Sequence, residues 1–318
     1  MTGASEQAFV WFDGELVPFA EARVHLLTHS LHYGYGVFEG TRAYRQSAGG
    51  TAIFRLDRHL ERLESSSHML QLPLPFSRDE LAEGTVELMW RNELAAGYIR
   101  HLVILGHGSM GLLPRDNPVQ VAILTWPWGA YLGEEGLERG IRCKISSHLR
   151  AFPNSALTKA KTTGGYIASI LAKREAVGLG FDEALMMDTQ GFVTEASGAN
   201  LFLVQAGRLL TPPPINILEG ITRESVMRLA ALDGLEIVER AIPRDDVYTA
   251  DEAFLTGTAA ELTPIREVDG RALRAGGRGP ITARLQERFF ALTRGEIPEL
   301  AEWLTPVEEP AALPAAKA

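Results

Sequence analysis

Five short segments of this 318-residue chain carry residue types that can do chemistry together. Lys161 lies among small polar residues, Thr158-Lys159-Ala160-Lys161-Thr162-Thr163-Gly164-Gly165, just ahead of Tyr166. The glycines leave room beside a lysine, and a lysine amine can attack a carbonyl and carry a proton. Glu195 ends an apolar run, Phe192-Val193-Thr194-Glu195, and enters the small-residue turn Ala196-Ser197-Gly198. A carboxylate delivered there can hold a protonated ring nitrogen, because the ion pair favours both charged forms. Gly220-Ile221-Thr222 opens a helical pattern, and helix N-termini present unpaired N–H groups to anions. Gly257-Thr258-Ala259 is a second small turn, and Arg62 offers a guanidinium.

An amine, a carboxylate, a phosphate cup and a hydroxyl, here that of Tyr166, are the needs of a pyridoxal-phosphate site. The phosphate carries about -1.5 to -2 charges and calls for several N–H donors and a guanidinium. Taken singly the features are weak. Lys159 and Lys161 read as readily as solvated loop charges, Glu195 as a surface acid, and Arg62 as part of a solvated helix face. Their joint occurrence carries the argument.

Two other patterns lead elsewhere and are set aside. Gly106-His107-Gly108-Ser109-Met110-Gly111 matches a dinucleotide fingerprint, but Leu112-Leu113-Pro114 and Asn117-Pro118 follow it and cannot form the first turns of a helix. His25, His29 and His32 have helical metal-ligand spacing, yet no glutamate adjoins His25 and Tyr33-Gly34-Tyr35-Gly36 breaks the pattern, so no metal site is expected.

The elements that must position these residues follow from periodicity and turn chemistry. Asp13-Gly14 between apolar runs predicts a tight hairpin. A second strand pair is expected over 37–44 and 51–55 around Ala48-Gly49-Gly50. Leu56, Leu60, Leu63 and Leu70 predict an amphipathic helix with Asp57 capping its first turn. Ser77 and Glu80 form a capping-box pattern for another helix, expected to end near Gly97, with strands over 98–105 and 119–126 after it. The Gly- and Glu-rich stretch 126–140 interrupts both periodicities. It suggests a small N-terminal α/β domain over 1–131, a connection over 132–140 and a larger α+β domain over 141–318.

In that second part a strand is expected over 141–147, a polar loop over 152–161, and a helix with Tyr166, Ile167, Ile170, Leu171 and Val177 on one face, closed by Gly178. Short strands over 183–187, 192–195, 200–204, 208–211 and 252–255, with a helix over 219–232, complete the reading. Strands and helices mix without strict alternation, which indicates an α+β chain of two lobes with the active site between the domains.

Composition narrows the classes of function. The chain is 46% hydrophobic and 22% charged, within the globular range. A net charge of -9 without a long Lys/Arg run disfavours nucleic acid as a partner. One cysteine, Cys143, cannot form an internal disulfide, so a cytoplasmic location is expected. Residues 1–9 lack a signal-peptide pattern, and no apolar run approaches the roughly 20 residues that span a bilayer. The tail 311–318 is expected to fray.

Ordered motifs along nearly the whole chain resemble the branched-chain aminotransferases among the fold-type IV pyridoxal-phosphate enzymes. They are His32-Tyr33-Gly34 with Val37-Phe38-Glu39-Gly40-Thr41-Arg42-Ala43-Tyr44, Tyr98-Ile99-Arg100, and Pro127-Trp128-Gly129-Ala130-Tyr131-Leu132-Gly133. The second half adds the lysine loop, the Glu195 turn with Asn200-Leu201-Phe202, Gly220-Ile221-Thr222-Arg223, and the run from Thr256-Gly257-Thr258-Ala259 to Thr263-Pro264. The resemblance implies the two-domain fold-type IV aminotransferase fold, and Lys161 as the catalytic amine that binds the cofactor covalently and carries the proton. It implies Glu195 at the pyridine nitrogen, Tyr166 at the ring oxygen, and Arg62, Ile221, Thr222 and Thr258 at the phosphate. Gly257, Thr258 and Ala259 would receive the substrate α-carboxylate, and Tyr33, Phe38, Tyr98, Arg100, Trp128 and Tyr131 would form the substrate pocket. In relatives the Met110-Gly111-Leu112 loop reaches a neighbouring subunit's pocket, which implies at least a homodimer.

The implied reaction is transamination of leucine, isoleucine and valine with 2-oxoglutarate. D-Amino-acid and amine transaminases and aminodeoxychorismate lyases share the lysine and glutamate and are the alternatives. Arg100 with Tyr33 and Phe38 favours the branched-chain reading, while a non-catalytic binding protein has only general composition behind it. The chain departs from the family pattern at Gly165, usually asparagine, at Thr41, usually aliphatic, and at His101, usually proline.

Overall fold

The computed structural model describes residues 9–129 and 131–309, so most of the N-terminal stretch and the tail expected to fray lie outside the described residues. The chain forms two compact units. One comprises Met1–Trp128, Ala160–Gly164 and Thr293–Ala318; the other comprises Gly129–Lys159 and Gly165–Leu292. The expected division was continuous in sequence, whereas these units are not: the segment bearing Lys161 and the C-terminal stretch group with the first.

In the first unit, β1 (Phe9–Phe12) and β2 (Glu15–Pro18) make the expected hairpin. Both turn residues take positive φ, 49° at Asp13 and 95° at Gly14, the conformation that a two-residue hairpin turn requires. With β3 (Gly36–Arg45), β4 (Thr51–Phe54), β5 (Gly97–Leu105), β6 (Val119–Trp126) and the final strand Leu304–Pro306, they form a seven-stranded antiparallel sheet. Its order runs from the final strand through β4, β3, β5, β6 and β1 to β2.

The short helix α1 (His29–Tyr33) precedes β3, and α2 (Leu56–Met69) and α3 (Arg78–Arg91) follow β4. The Ser77–Glu80 capping box forms with both reciprocal hydrogen bonds. Asp57, however, does not cap α2. The cap position belongs to Arg55 in a left-handed conformation, and Asp57 sits inside the first turn, where its charge faces the positive end of the helix dipole. Helix α3 ends earlier than its pattern suggested, because Glu93 takes φ 52° and turns the chain out of the helix.

Leu56, Leu60 and Leu63 of α2 are buried with Val37, Ala43, Ile99, Val103, Val121 and Ile123 of the sheet. Strand alternation then puts Val37, Glu39, Thr41 and Ala43 under the helices, with Phe38, Gly40 and Arg42 on the opposite face. Thr41 is fully buried on the helix side and its hydroxyl has no hydrogen-bond partner among the described residues. A desolvated, unpaired hydroxyl opposes folding. Thr41→Val keeps the shape and removes the hydroxyl, so it is expected to stabilise the chain by about 1 kcal/mol in a urea titration; a loss of stability would show that Thr41 finds a partner in solution.

The second unit holds nine strands: β7 (Ile141–Leu149), β8 (Glu183–Met187), β9 (Val193–Ala196), β10 (Asn200–Gln205), β11 (Arg208–Thr211), β12 (Ile237–Glu239), β13 (Glu252–Gly257), β14 (Glu261–Val268) and β15 (Arg271–Ala272). The order β12-β11-β10-β13-β14-β7-β8-β9 bends back on itself, because β9 also pairs with β10 through Glu195 and Asn200. Five helices belong to this part of the chain: α4 (Glu134–Arg139), α5 (Ile167–Gly178), α6 (Ile221–Leu232), α7 (Arg244–Thr249) and α8 (Pro280–Thr293). Helix α4 occupies the stretch expected to be an irregular connection. Periodicity puts Tyr166, Ile167, Ile170, Leu171 and Val177 on one face; Tyr166 is half-buried, but the other four are exposed. The helix buries Ser169, Ala172 and Ala176 instead, and Ala172 and Ala176 cluster with Ala184 and Met186 of β8. Small side chains let a helix approach a sheet closely, so the larger apolar face is left outward. Among the described residues, no helix is long and apolar enough to cross a membrane.

Candidate active site

In the first unit, the lysine segment is built onto the start of β3. The Phe38 amide donates to the Lys161 carbonyl (2.9 Å), and Thr162 forms a β-bridge with Val37. The Gly164 amide and the Thr163 hydroxyl both donate to the Gly34 carbonyl, at 3.0 and 2.8 Å. Gly34 closes α1 at φ 63°, and a Cβ there would lie 2.8 Å from the Gly164 Cα, so this close approach requires glycine. On the helix side, the Lys161 amide donates to the Ser66 hydroxyl of α2 (3.1 Å). The loop is therefore fixed through its backbone, while Lys161 Nζ stands 4.9 Å from the centre of the Phe38 ring.

On that same face of the sheet, the Arg100 guanidinium lies 4.5 Å from the Phe38 ring centre, with Tyr98 at 5.4 Å and Trp126 at 6.0 Å. Tyr98 also packs against Trp128, with ring centres 5.3 Å apart. Gly40 makes this possible: a Cβ there would fall 1.8 Å from the Tyr98 hydroxyl. Phe38, Tyr98, Arg100, Trp128 and Lys161 thus gather in one unit. Tyr33 does not join them through any contact described; it lies on α1, 45% exposed, against the His29 ring.

Under the sheet, Arg62 of α2 is held by Glu39 of β3. Arg62 Nε donates to Glu39 Oε1 (2.6 Å), Arg62 Nη2 to Oε2 (3.0 Å), and His59 Nδ1 meets Oε2 at 2.7 Å. Burial alone would raise the Glu39 pKa, but Arg62 and His59 outweigh it and hold the carboxyl well below the usual range. Burial likewise lowers His59, and it brings His101, paired with Glu39 across the strands, down to about 3. His101 Nε2 meets the Thr85 hydroxyl at 2.9 Å.

In the second unit, Glu195 sits where β9 meets β10. One oxygen accepts from Arg150 Nη2 (2.8 Å), the other from Asn200 Nδ2 (3.1 Å) and the Leu218 amide (3.2 Å). Asn200 also donates to the Leu218 carbonyl, and a Cβ at Gly220 would fall 1.9 Å from Asn200 Oδ1. A glycine is therefore required for α6 to start this close to the acid. That helix has no side-chain cap, and Ile221 and Thr222 of its first turn are buried. Asn200 pairs with Thr256 across β10 and β13, so the half-buried turn Gly257, Thr258 and Ala259 leaves the sheet beside the same residues. Glu195, the α6 N-terminus and the 257–259 turn converge. Tyr166 occupies the position that caps α5, and Tyr131 lies under Lys173 Nζ at 5.4 Å. Lys159 pairs with Glu219, both about half exposed.

Residues 36–268 match the family model of amino-transferase class IV. The chain belongs to the class IV aminotransferases. Over 308 residues, 97% of this chain and all of the relative, it is 49% identical to a branched-chain-amino-acid aminotransferase of Pseudomonas aeruginosa. The crystal structure of the Escherichia coli branched-chain amino acid aminotransferase superposes with TM-score 0.93 at 42% identity, covering 95% of this chain and 100% of that one. The branched-chain amino acid aminotransferase of Thermobaculum terrenum, solved in its PLP-form, gives TM-score 0.90 at 34% identity, covering 96% of this chain and 99% of that one.

Sequence reasoning about this class IV aminotransferase missed Glu39 as a partner of Arg62, and it missed His59, Ser66, Arg150 and Asn200. The spacing of His59, Arg62 and Ser66, at i, i+3 and i+7, places them on one face of α2 and was the available signal. Arg150 carried none, since its link to Glu195 spans 45 residues between a strand end and a turn.

Proposed function

We propose that this class IV aminotransferase uses pyridoxal 5'-phosphate to move amino groups from leucine, isoleucine and valine to 2-oxoglutarate, giving branched-chain 2-oxo acids and L-glutamate. The donor chemistry suits that cofactor. Glu195 is a buried carboxylate held by three N–H donors, and the α6 N-terminus adjoining it is uncapped where glycine alone fits. In the first unit Lys161 supplies an amine on a backbone-fixed loop and Arg62 a clamped guanidinium. When bound, the cofactor supplies an aldehyde to take the amino group and a ring that accepts the electron pair released at the substrate α-carbon.

Lys161 Nζ takes the proton from the α-carbon. Glu195 favours the protonated ring nitrogen, Tyr166 donates to the ring oxygen, and Arg62, Ile221, Thr222 and Thr258 hold the phosphate. Gly257, Thr258 and Ala259 receive the α-carboxylate. Substrate choice rests on Phe38, Tyr98, Arg100, Trp128, Tyr33 and Tyr131, which must accept an aliphatic side chain in one half-reaction and the distal carboxylate of glutamate in the other.

The observation that carries this reading is the placement of Arg100. Its guanidinium lies against aromatic faces, and its buried Nε has no hydrogen-bond partner among the described residues. Apolar walls for leucine and a cation with unused N–H capacity for glutamate stand together. Coupled assays against 2-oxoglutarate are expected to show turnover of leucine, isoleucine and valine but not of D-alanine or an aryl amine; the reverse preference overturns the reading. Arg100→Met should weaken the use of glutamate roughly ten- to a hundredfold, the worth of a charge-assisted hydrogen bond, and change leucine little.

The reading includes a homodimer at least. Tyr33 packs on His29, whose Nε2 meets the Gly111 carbonyl, so Tyr33 is tied to a loop that exposes Met110, Leu112 and Leu113. Three exposed apolar side chains on one loop fit contact with a second copy. A cytoplasmic location goes with the reading, and its one cysteine, buried Cys143, suits a reducing compartment.

A further inference from the structure

We infer that Glu39 is a positioning residue which fixes the direction of the Arg62 guanidinium toward the cofactor phosphate, an inference that rests on the reading of Arg62 as a phosphate contact. Glu39 is fully buried, and both of its oxygens are engaged by residues of α2. The grip on Arg62 runs through Nε and Nη2, so one edge of the planar guanidinium lies flat against the carboxylate. A guanidinium held by that edge has its Nη1 group directed to the opposite side.

Arginine side chains have large rotamer freedom, and an arginine that meets an anion unguided loses that freedom on binding. Here the freedom is already removed. His59 and the Gly40 amide at 3.1 Å complete the shell around the Glu39 carboxylate. The same helix face carries Ser66, which receives the Lys161 amide, so a single face of α2 sets both Arg62 and the lysine loop. Glu39 touches neither substrate nor cofactor in this scheme; it acts through Arg62.

The test compares binding of pyridoxal 5'-phosphate and of pyridoxal, which lacks the phosphate, to full chains freed of cofactor, followed by quenching of tryptophan fluorescence. Glu39→Gln is expected to weaken pyridoxal 5'-phosphate roughly ten- to a hundredfold, a magnitude typical of lost outer-shell support, and to leave pyridoxal unchanged. Glu39→Asp keeps the charge but draws it back, and should fall between. In an Arg62→Ala background, Glu39→Gln should no longer alter the ratio of the two affinities. If Arg62→Ala itself leaves that ratio at the wild-type value, the phosphate reading of Arg62 is wrong. If Arg62→Ala collapses the ratio while Glu39→Gln and Glu39→Asp do not, Glu39 is structural only and the inference fails alone.

Discussion

Lys161→Ala is expected to leave a folded chain with transamination reduced by more than roughly 10⁴-fold. Loss of a positioned acid–base group costs roughly 10²–10⁴-fold, and under the proposed function the same amine also makes the covalent attachment. The fold should survive because the segment is held by main-chain atoms. The Lys161 amide donates to Ser66, its carbonyl accepts from Phe38, and Thr162 bridges Val37. An alanine preserves all three, so the melting temperature should stay close to wild type. Lys159→Ala is the matched control: its side chain is half exposed and its partner, Glu219, is an exposed acid, an ion pair worth little. Its turnover should remain within about twofold of wild type. Turnover surviving in Lys161→Ala, or vanishing in Lys159→Ala, would reverse the assignment.

What sequence could reveal here depended on whether the physics was local. Asp13-Gly14 announced its hairpin because the turn conformation depends on those two residues, and Ser77 with Glu80 announced a helix start because both bonds close within four residues. Helix α5 shows the limit. Periodicity identified residues that share a face, but which face meets the sheet was decided by the small side chains of Ala172 and Ala176 against Ala184, a choice the pattern does not contain. The pairing of β10 with β13, and of the C-terminal strand with β4, depend on partners that proximity along the chain does not supply. Lys161 and Glu195 could be proposed from sequence through the joint occurrence of several features, each weak alone. Glu39 could not, since an acid inside an apolar strand discloses its role only once Arg62 and His59 are seen against it.

Glu195→Gln is expected to reduce transamination by about 10²-fold and to lower stability as well, and the two effects have separate causes. The carboxylate is held by donors on both sides: Arg150 on one oxygen, Asn200 and the Leu218 amide on the other. A glutamine must turn its NH₂ toward one of these sides, so whichever way it flips, donor faces donor. Turned toward Arg150, the amide leaves a largely buried guanidinium without its counter-charge, a loss of about 3 kcal/mol by analogy with broken buried pairs. The catalytic effect arises because a neutral amide no longer favours the protonated ring nitrogen, and losing a charge-assisted contact worth about 1.5–3 kcal/mol slows the reaction by about one to two powers of ten. Glu195→Asp retains the charge and should recover part of the rate even if it melts as early as the glutamine variant. Measuring kcat and melting temperature on both variants separates the causes: if both melt early while kcat stays at the wild-type value, the acid serves the fold and has no part in the chemistry.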